Sequence, residues 1–302
     1  MPGIIALTGA TGFIGRAILD NLIKNGYKVR ALTRSPRNDQ ESIQWINGDL
    51  NNQSALLELV HGADSVIHCA GSVRGNSLKA FINTNVTGTS NLVQAATLQK
   101  VKPRFLLISS LAAREPQLSW YAESKLMAEQ SVVYYPDGQW TIFRPTAVYG
   151  AGDKELKPVF SATRHGLLPV VGSPSNNFSL LHIDDLVAAI QCWLSAITPS
   201  NGIYELDDGN PEGYSYQSIA TITQEIWGHS VRCITIPTSL VHLIAYANLW
   251  LAMIFDYAPM LTPGKVRELQ HPNWLCNNKP LIEALPGWQP HITLRNALPL
   301  LF

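Results

Sequence analysis

Tyr121 and Lys125 stand four residues apart in the run Tyr121-Ala122-Glu123-Ser124-Lys125. On a helix this spacing places both side chains on one face. An ammonium beside a phenol favours the phenolate and lowers the tyrosine pKa. Such a tyrosine can exchange a proton with a carbonyl or an alcohol near neutral pH. The spacing alone is common on surface helices, so its position matters more. It follows an apolar strand candidate, residues 105–109, and the pair Ser109-Ser110. A serine hydroxyl at the C-terminal end of a strand can hydrogen-bond the same substrate oxygen. Ser110 is the better candidate for that hydroxyl and Ser109 the second. Ligands of open parallel sheets bind along that same edge.

A second group of residues could hold a dinucleotide. Thr8-Gly9-Ala10-Thr11-Gly12-Phe13-Ile14-Gly15 follows a short apolar run and opens a helical pattern. Gly9 allows a tight turn, Gly12 lets the backbone approach a pyrophosphate, and Gly15 lets the helix pack close to the sheet. The helix N-terminus adds free N–H groups and a positive dipole end. Gly9, Thr11, Gly12, Phe13, Ile14 and Gly15 are therefore the candidate phosphate loop.

The next strand ends Ala31-Leu32-Thr33-Arg34-Ser35. An NAD-selective site has an acid at this point to accept from the ribose 2′-hydroxyl. None is present, and Asp39 is the nearest. Arg34 can pair with a 2′-phosphate and lie over adenine. NADP(H) is favoured and NAD(H) stays open, with Arg16 and Arg37 weaker candidates for the same phosphate.

The elements that must position these groups alternate along the first half. Strand candidates at 4–8, 28–33, 65–69, 105–109 and 140–144, with a weaker one at 42–47, are separated by helical patterns at 13–25, 53–60, 78–100 and 121–131. That alternation predicts an α/β fold, a doubly wound parallel sheet with helices on both faces. After Gly150 prolines divide the chain into short pieces. A helix at 184–196 and a strand at 203–206 return to the sheet. The expected division is a Rossmann dinucleotide-binding domain of residues 1–157 and 183–206, with a smaller, mostly helical substrate-binding domain of residues 158–182 and 207–302.

Composition narrows the function classes. The 302 residues hold 22 Lys+Arg and 22 Asp+Glu, so no net field draws the chain to nucleic acid. Cys69, Cys192, Cys233 and Cys276 form no CxxC pair and read as reduced thiols. With no secretory signal pattern, the expected location is cytoplasmic. One segment stands apart: no charged residue lies between Arg232 and Asp256. A helix begun at Thr238 gathers Leu240, Leu243, Ile244, Ala247, Leu251, Ile254 and Phe255 on one face. The favoured reading is a core or pocket-lining helix. A membrane-surface helix and a true span are the alternatives.

Taken together, the motifs resemble those of the extended short-chain dehydrogenases/reductases, which include nucleotide-sugar epimerases and dehydratases, dihydroflavonol reductases and 3β-hydroxysteroid dehydrogenases. The resemblance runs over nearly the whole chain: TGATGFIG at 8–15, GDL at 48–50, HCAG at 68–71, NVTGTSNLVQAA at 85–96, ISS at 108–110, YAESK at 121–125, FRPTAVYG at 143–150 and HIDDL at 182–186. It implies that Asp49 hydrogen-bonds adenine with Leu50 beside it, and that Ala70 and Gly71 pass the cofactor ribose and phosphates. It makes Tyr121 the acid/base and gives Lys125 the nicotinamide ribose as well. Ser110 polarises the substrate, and Pro145 and Val148 lie against the nicotinamide. Asn85 anchors neighbouring backbone, while His182 and Asp185 are structural. Related enzymes often dimerise through helices matching 78–100 and 121–131. The link from Ser110 to Tyr121 is shorter than in many members.

The reaction is read from what surrounds the site. Nucleotide-sugar members carry an arginine just before the HIDDL-like motif, and residues 175–182 contain none. The acid that follows the catalytic hydroxyl in dehydratases is Leu111 here. The C-terminal part is apolar and aromatic, with Tyr246, Trp250, Met253, Phe255 and Tyr257, although Arg164, Lys265 and Arg267 remain as candidate phosphate partners. An apolar ketone or alcohol suits this lining better than a diphosphate. β-Keto, steroid-like and flavonoid-like compounds are of that kind. The leading expectation is an oxidoreductase acting on a hydrophobic small molecule. The alternatives are a nucleotide-sugar epimerase/dehydratase and a non-catalytic NADP(H)-binding subunit resembling the accessory subunit of respiratory complex I.

Overall fold

The computed structural model describes residues 3–196 and 201–302. The first half alternates as the periodicity predicts: β1 (Ile4–Thr8), α1 (Phe13–Lys24), β2 (Lys28–Thr33), β3 (Ile43–Asn47), α2 (Gln53–Val60) and β4 (Ser65–His68). A helical stretch then runs through α3 (Leu78–Phe81), a π-helical turn at Ile82–Thr87 and α4 (Gly88–Thr97). It is followed by β5 (Arg104–Ile108), α5 (Trp120–Val133), β6 (Trp140–Pro145) and β7 (Ala147–Tyr149). The second half contains α6 (Lys157–Thr163), β8 (Leu167–Val171), β9 (Asn177–Phe178), β10 (Leu180–His182), α7 (Ile183–Ser195) and β11 (Gly202–Leu206). It ends with α8 (Tyr216–Trp227), β12 (Arg232–Ile236), α9 (Thr238–Phe255), α10 (Pro263–Gln270), β13 (Asn273–Trp274), α11 (Lys279–Ala284) and α12 (Leu294–Ala297).

Seven strands form one parallel sheet in the order β11-β6-β5-β4-β1-β2-β3. The strand order reverses between β1 and β4, so their C-terminal ends open the crevice where such folds bind ligands. Both faces are covered, as the buried central strands require. On one face Ile18 and Leu22 of α1 meet Leu186 and Trp193 of α7. On the other, Leu56 and Leu59 of α2 meet Leu92 and Ala96 of α4, Val132 of α5 and Phe105. Side-chain caps start several helices where the sequence supplies them: Asn52 for α2, Ser77 for α3, Ser119 for α5 and Thr262 for α10.

The remaining strands pair two by two, β7 with β10, β8 with β12 and β9 with β13. They frame a second apolar cluster that includes Tyr149, Phe160, Leu168, Tyr214, Ile219 and Leu294. Leu281, Leu285 and Trp288, which the sequence division gives to the smaller part, pack in the core of the large sheet instead.

Two expectations change. The helix read over 78–100 is one path with a π-turn inside it, because Asn85 is turned into the interior at that point. The uncharged segment does form a helix from Thr238, but it is not a core helix. Its buried positions are Val241, Ala245 and Ala252, and the large side chains point outward. Small residues allow close approach to α10, and that decides which stripe is covered.

Candidate functional site

The glycine loop leaves β1 through Gly9, whose φ of 75° suits glycine and whose added Cβ would lie 2.7 Å from the amide nitrogen of Ala70. A Cβ on Gly15 would meet the Gly9 carbonyl oxygen at 2.0 Å, so α1 and the loop can close only without side chains there. Gly12 differs: a Cβ would meet only the Gly9 oxygen, at 3.4 Å. Its outer side is open, and α1 begins there with no side-chain cap. Uncapped N–H groups behind an open glycine are what a pyrophosphate needs, so the loop fits a dinucleotide. Thr11 is exposed on the loop, and Phe13 and Ile14 rest against the large core.

The other expected cofactor residues lie along the same edge. Arg34 is exposed one residue past β2 and has no partner among the described residues. Arg16 pairs with Asp20 at 3.4 Å and Arg37 lies 5.1 Å over Trp45. Asp39 accepts from the Trp45 amide at 2.7 Å, which occupies the nearest acid. Asp49 is exposed after β3, and Leu50 is buried against Gly88. Ala70 donates its amide to Thr8 Oγ1 at 3.2 Å, and Gly71 follows it. Pro145 ends β6 opposite Leu206, and Val148 on β7 lies opposite Leu181.

Ser110, Tyr121 and Lys125 come together at the end of β5. Ser110 lies close enough to the Tyr121 hydroxyl to lower its pKa, and Lys125 Nζ donates to the Ile108 carbonyl at 2.9 Å. Ser109 is turned away: it donates to Glu129, which holds Arg144 at 2.6 Å. Of the two serines, only Ser110 therefore faces Tyr121. Asn85 accepts from the Ser72 amide at 2.7 Å and donates to the Ser72 carbonyl and to Ser124, anchoring backbone as the resemblance implies. His182 caps α7 through the Asp184 amide, and Asp185 accepts from His291 and Ile292.

The electrostatics correct one sequence expectation. Burial pushes Tyr121 up to about 12, against the opposing effect of Ser110, with Glu268 and Cys69 adding to the rise. Lys125 is itself lowered to about 8 by burial, with Cys69 and Glu129 opposing. Its ammonium is directed at Ile108 and does not bring the phenol toward neutrality.

Two contributors carried no role in the sequence reading. His68 is fully buried below Cys69 and is held near 3 by burial and by Lys125. Thr89 donates to the Asn85 carbonyl, so it accepts from His68 Nε2 at 2.9 Å. Thr8 then donates to Nδ1 at 2.6 Å. This chain ties β1, β4 and the π-turn together beneath the crevice, and the HCAG motif was its sequence signal. Glu268, on α10, accepts from Ser119 and lies close enough to raise the Tyr121 pKa. No local motif announces it.

A doubly wound sheet with an open glycine loop after β1 and paired hydroxyls after β5 defines an extended short-chain dehydrogenase/reductase. Residues 5–206 match the NAD dependent epimerase/dehydratase family, and the chain belongs to it. It is 34% identical to the ceramide reductase of Caulobacter vibrioides over 94% of this chain and 90% of that one. It is 28% identical to the 2-alkyl-3-oxoalkanoate reductase of Stenotrophomonas maltophilia, over 68% and 71% respectively. Among solved structures, the UDP-glucuronic acid 4-epimerase from Bacillus cereus in complex with UDP-glucuronic acid and NAD shares the fold, with a TM-score of 0.75 at 18% identity over 98% and 96% of the two chains. The protein is thus an enzyme of a family that contains both reductases and epimerases.

Proposed function

We propose that the protein is an NADP(H)-dependent reductase acting on a carbonyl of a long, apolar substrate. The observation that carries this reading is the gathering of Ser110, Tyr121 and buried Lys125 at the C-terminal end of β5. When bound, NADPH supplies a hydride to the carbonyl carbon. Ser110 orients the carbonyl oxygen by a hydrogen bond, and Tyr121 gives its phenolic proton to that oxygen as the alcohol forms. Solvent then returns a proton to the phenolate. Lys125 holds the nicotinamide ribose through its ammonium group. Arg34, unpartnered among the described residues at the end of β2, takes the 2′-phosphate.

The substrate class follows from charge and from the relatives. A nucleotide diphosphate needs free cations, and the three candidates that the sequence offered for it are engaged. Arg164 lies over Trp227 and Phe302, Lys265 donates to Glu268 at 2.9 Å, and Arg267 donates to the Leu118 carbonyl at 2.8 Å. The two relatives described above are named for reducing ceramide and a 2-alkyl-3-oxoalkanoate, both with apolar chains. NADPH oxidation measured against a panel of long-chain ketones and UDP-sugars, with product analysis, tests the reading. Turnover of the ketones alone supports it. Conversion of a UDP-sugar to its epimer without net NADPH oxidation overturns it.

A further inference from the structure

Helix α9 buries only a narrow stripe of Val241, Ala245 and Ala252 and presents most of its large apolar side chains to solvent, where a water-facing helix would carry polar ones. Asn248 donates inward to the Leu261 carbonyl at 2.9 Å. Val241 and Ala245 pack on Val266 of α10, with Val171, Ile236 and Leu261 around them. Outside that stripe, Leu243 is 67% exposed, Trp250 63% and Phe255 71%, and Tyr246, Met253 and Ile254 are more than half exposed. At about 100° per residue, the exposed positions from Met253 around to Phe255 fill an unbroken arc of about 200°. The helix is 18 residues long and carries no charge.

We infer that α9 lies flat in the interface of a lipid bilayer and that the substrate reaches the site from that bilayer; the second half of this statement rests on the function proposed above. The width of the arc selects the occupant. A partner helix covers a stripe of roughly 100°, so a second copy paired on α9 leaves about half of these side chains in water. A bilayer takes the whole arc, with an apolar face sunk about 5–10 Å. Exposed Trp250, Tyr246 and Tyr257 are the side chains that favour the headgroup level. The helix does not cross the bilayer while it is packed as described. Its N-terminal end continues from β12 through Pro237. Near its C-terminal end, Asn76 donates to the Ala252 carbonyl at 3.4 Å and to Asp256 at 3.5 Å.

The same contacts place the bilayer beside the chemistry. Asn76 stands five residues after Gly71 on the cofactor edge. On the other side, α10 packs on α9 and its Glu268 accepts from Ser119, the cap of the helix that bears Tyr121. Helix α9 is thus tied to the cofactor edge through Asn76 and to the helix that bears Tyr121 through α10.

Flotation with phosphatidylcholine vesicles tests the docking directly. Because α9 is uncharged, binding should need no anionic lipid and should persist in high salt. The wild-type protein should float with the vesicles in both low and high salt. The double variant Leu243→Glu/Trp250→Glu, with an unchanged circular dichroism spectrum and NADPH affinity, should stay in solution. It should keep its turnover of a short, water-soluble ketone and lose at least about tenfold on a long-chain ketone held in vesicles. A wild-type protein that does not float overturns the inference, as does a dimer that the double variant splits. Flotation without turnover of any ketone leaves the docking standing and removes the reductase reading.

Discussion

Ser119 caps the helix that carries Tyr121 and Lys125, and the same Ser119 hydroxyl donates to Glu268 of α10. A carboxylate from the C-terminal part of the chain thereby fixes the start of the helix that bears Tyr121. Lys265 closes the arrangement at 2.9 Å from Glu268. Removing the carboxylate frees both Ser119 and the helix start without touching the glycine loop. Glu268→Ala should lower kcat about tenfold and stability by about 1–3 kcal/mol, with NADPH affinity within about twofold of wild type. Glu268→Gln, which keeps the Ser119 bond, should recover most of kcat. Steady-state kinetics with fluorescence titration of NADPH separate the two effects.

The depressed pKa of Lys125 sets a pH limit. In the free enzyme the ammonium is lost as pH rises through about 8, while Tyr121, near 12, stays protonated. The proposed reduction needs the tyrosine as an acid and the lysine as a cation. The kcat/KM for reduction, which reports the free enzyme, should be level below pH 8 and fall about tenfold per unit above it. Lys125→Arg should show lower activity and no such limb, because guanidinium stays charged. A profile for wild type that stays level to pH 10 contradicts this assignment.

His68 makes a stability prediction with a defined sign. Its pKa is lowered in the folded state, so the folded protein binds fewer protons than the unfolded chain between about 3 and the ordinary 6.5. The stabilisation is full above 6.5 and is lost as pH falls toward 3. Between pH 7 and pH 5 this one group should cost about 2 kcal/mol. Urea denaturation at the two pH values should show a smaller difference in His68→Gln than in wild type, and an equal difference removes His68 as the source.

On the proposed reading, Arg34 decides cofactor choice. NADPH should bind at least about tenfold more tightly than NADH, and Arg34→Ala should remove that preference by weakening NADPH alone. Isothermal titration with both cofactors measures it. Equal affinities in the wild-type protein contradict the assignment.

What the sequence made legible follows from how local each signal is. The glycine loop, the alternating strands and the Tyr121–Lys125 spacing are set by neighbours in the chain, and their elements form at or within a few residues of the expected limits. The π-turn at Ile82–Thr87 was not legible, because Asn85 is drawn inward by Ser72 and Ser124, which are distant in sequence. Glu268 was missed for the same reason: its partner lies 149 residues away. For α9 the helix was readable but its buried side was not. Hydrophobicity marked the large side chains, whereas packing chose Val241, Ala245 and Ala252. The choice between Ser109 and Ser110 needed Glu129 and Arg144, again from separate elements.

The central claim is that Tyr121 is the proton donor of an NADP(H)-dependent carbonyl reduction. Single-turnover oxidation of bound NADPH by a long-chain ketone, compared between wild type and Tyr121→Phe, tests it most directly. The phenylalanine ring keeps the packing against Phe81, 6.2 Å away between ring centroids, and removes only the hydroxyl. The account predicts a rate at least about a hundredfold lower with an unchanged NADPH dissociation constant. Oxidation at the wild-type rate in Tyr121→Phe would contradict it.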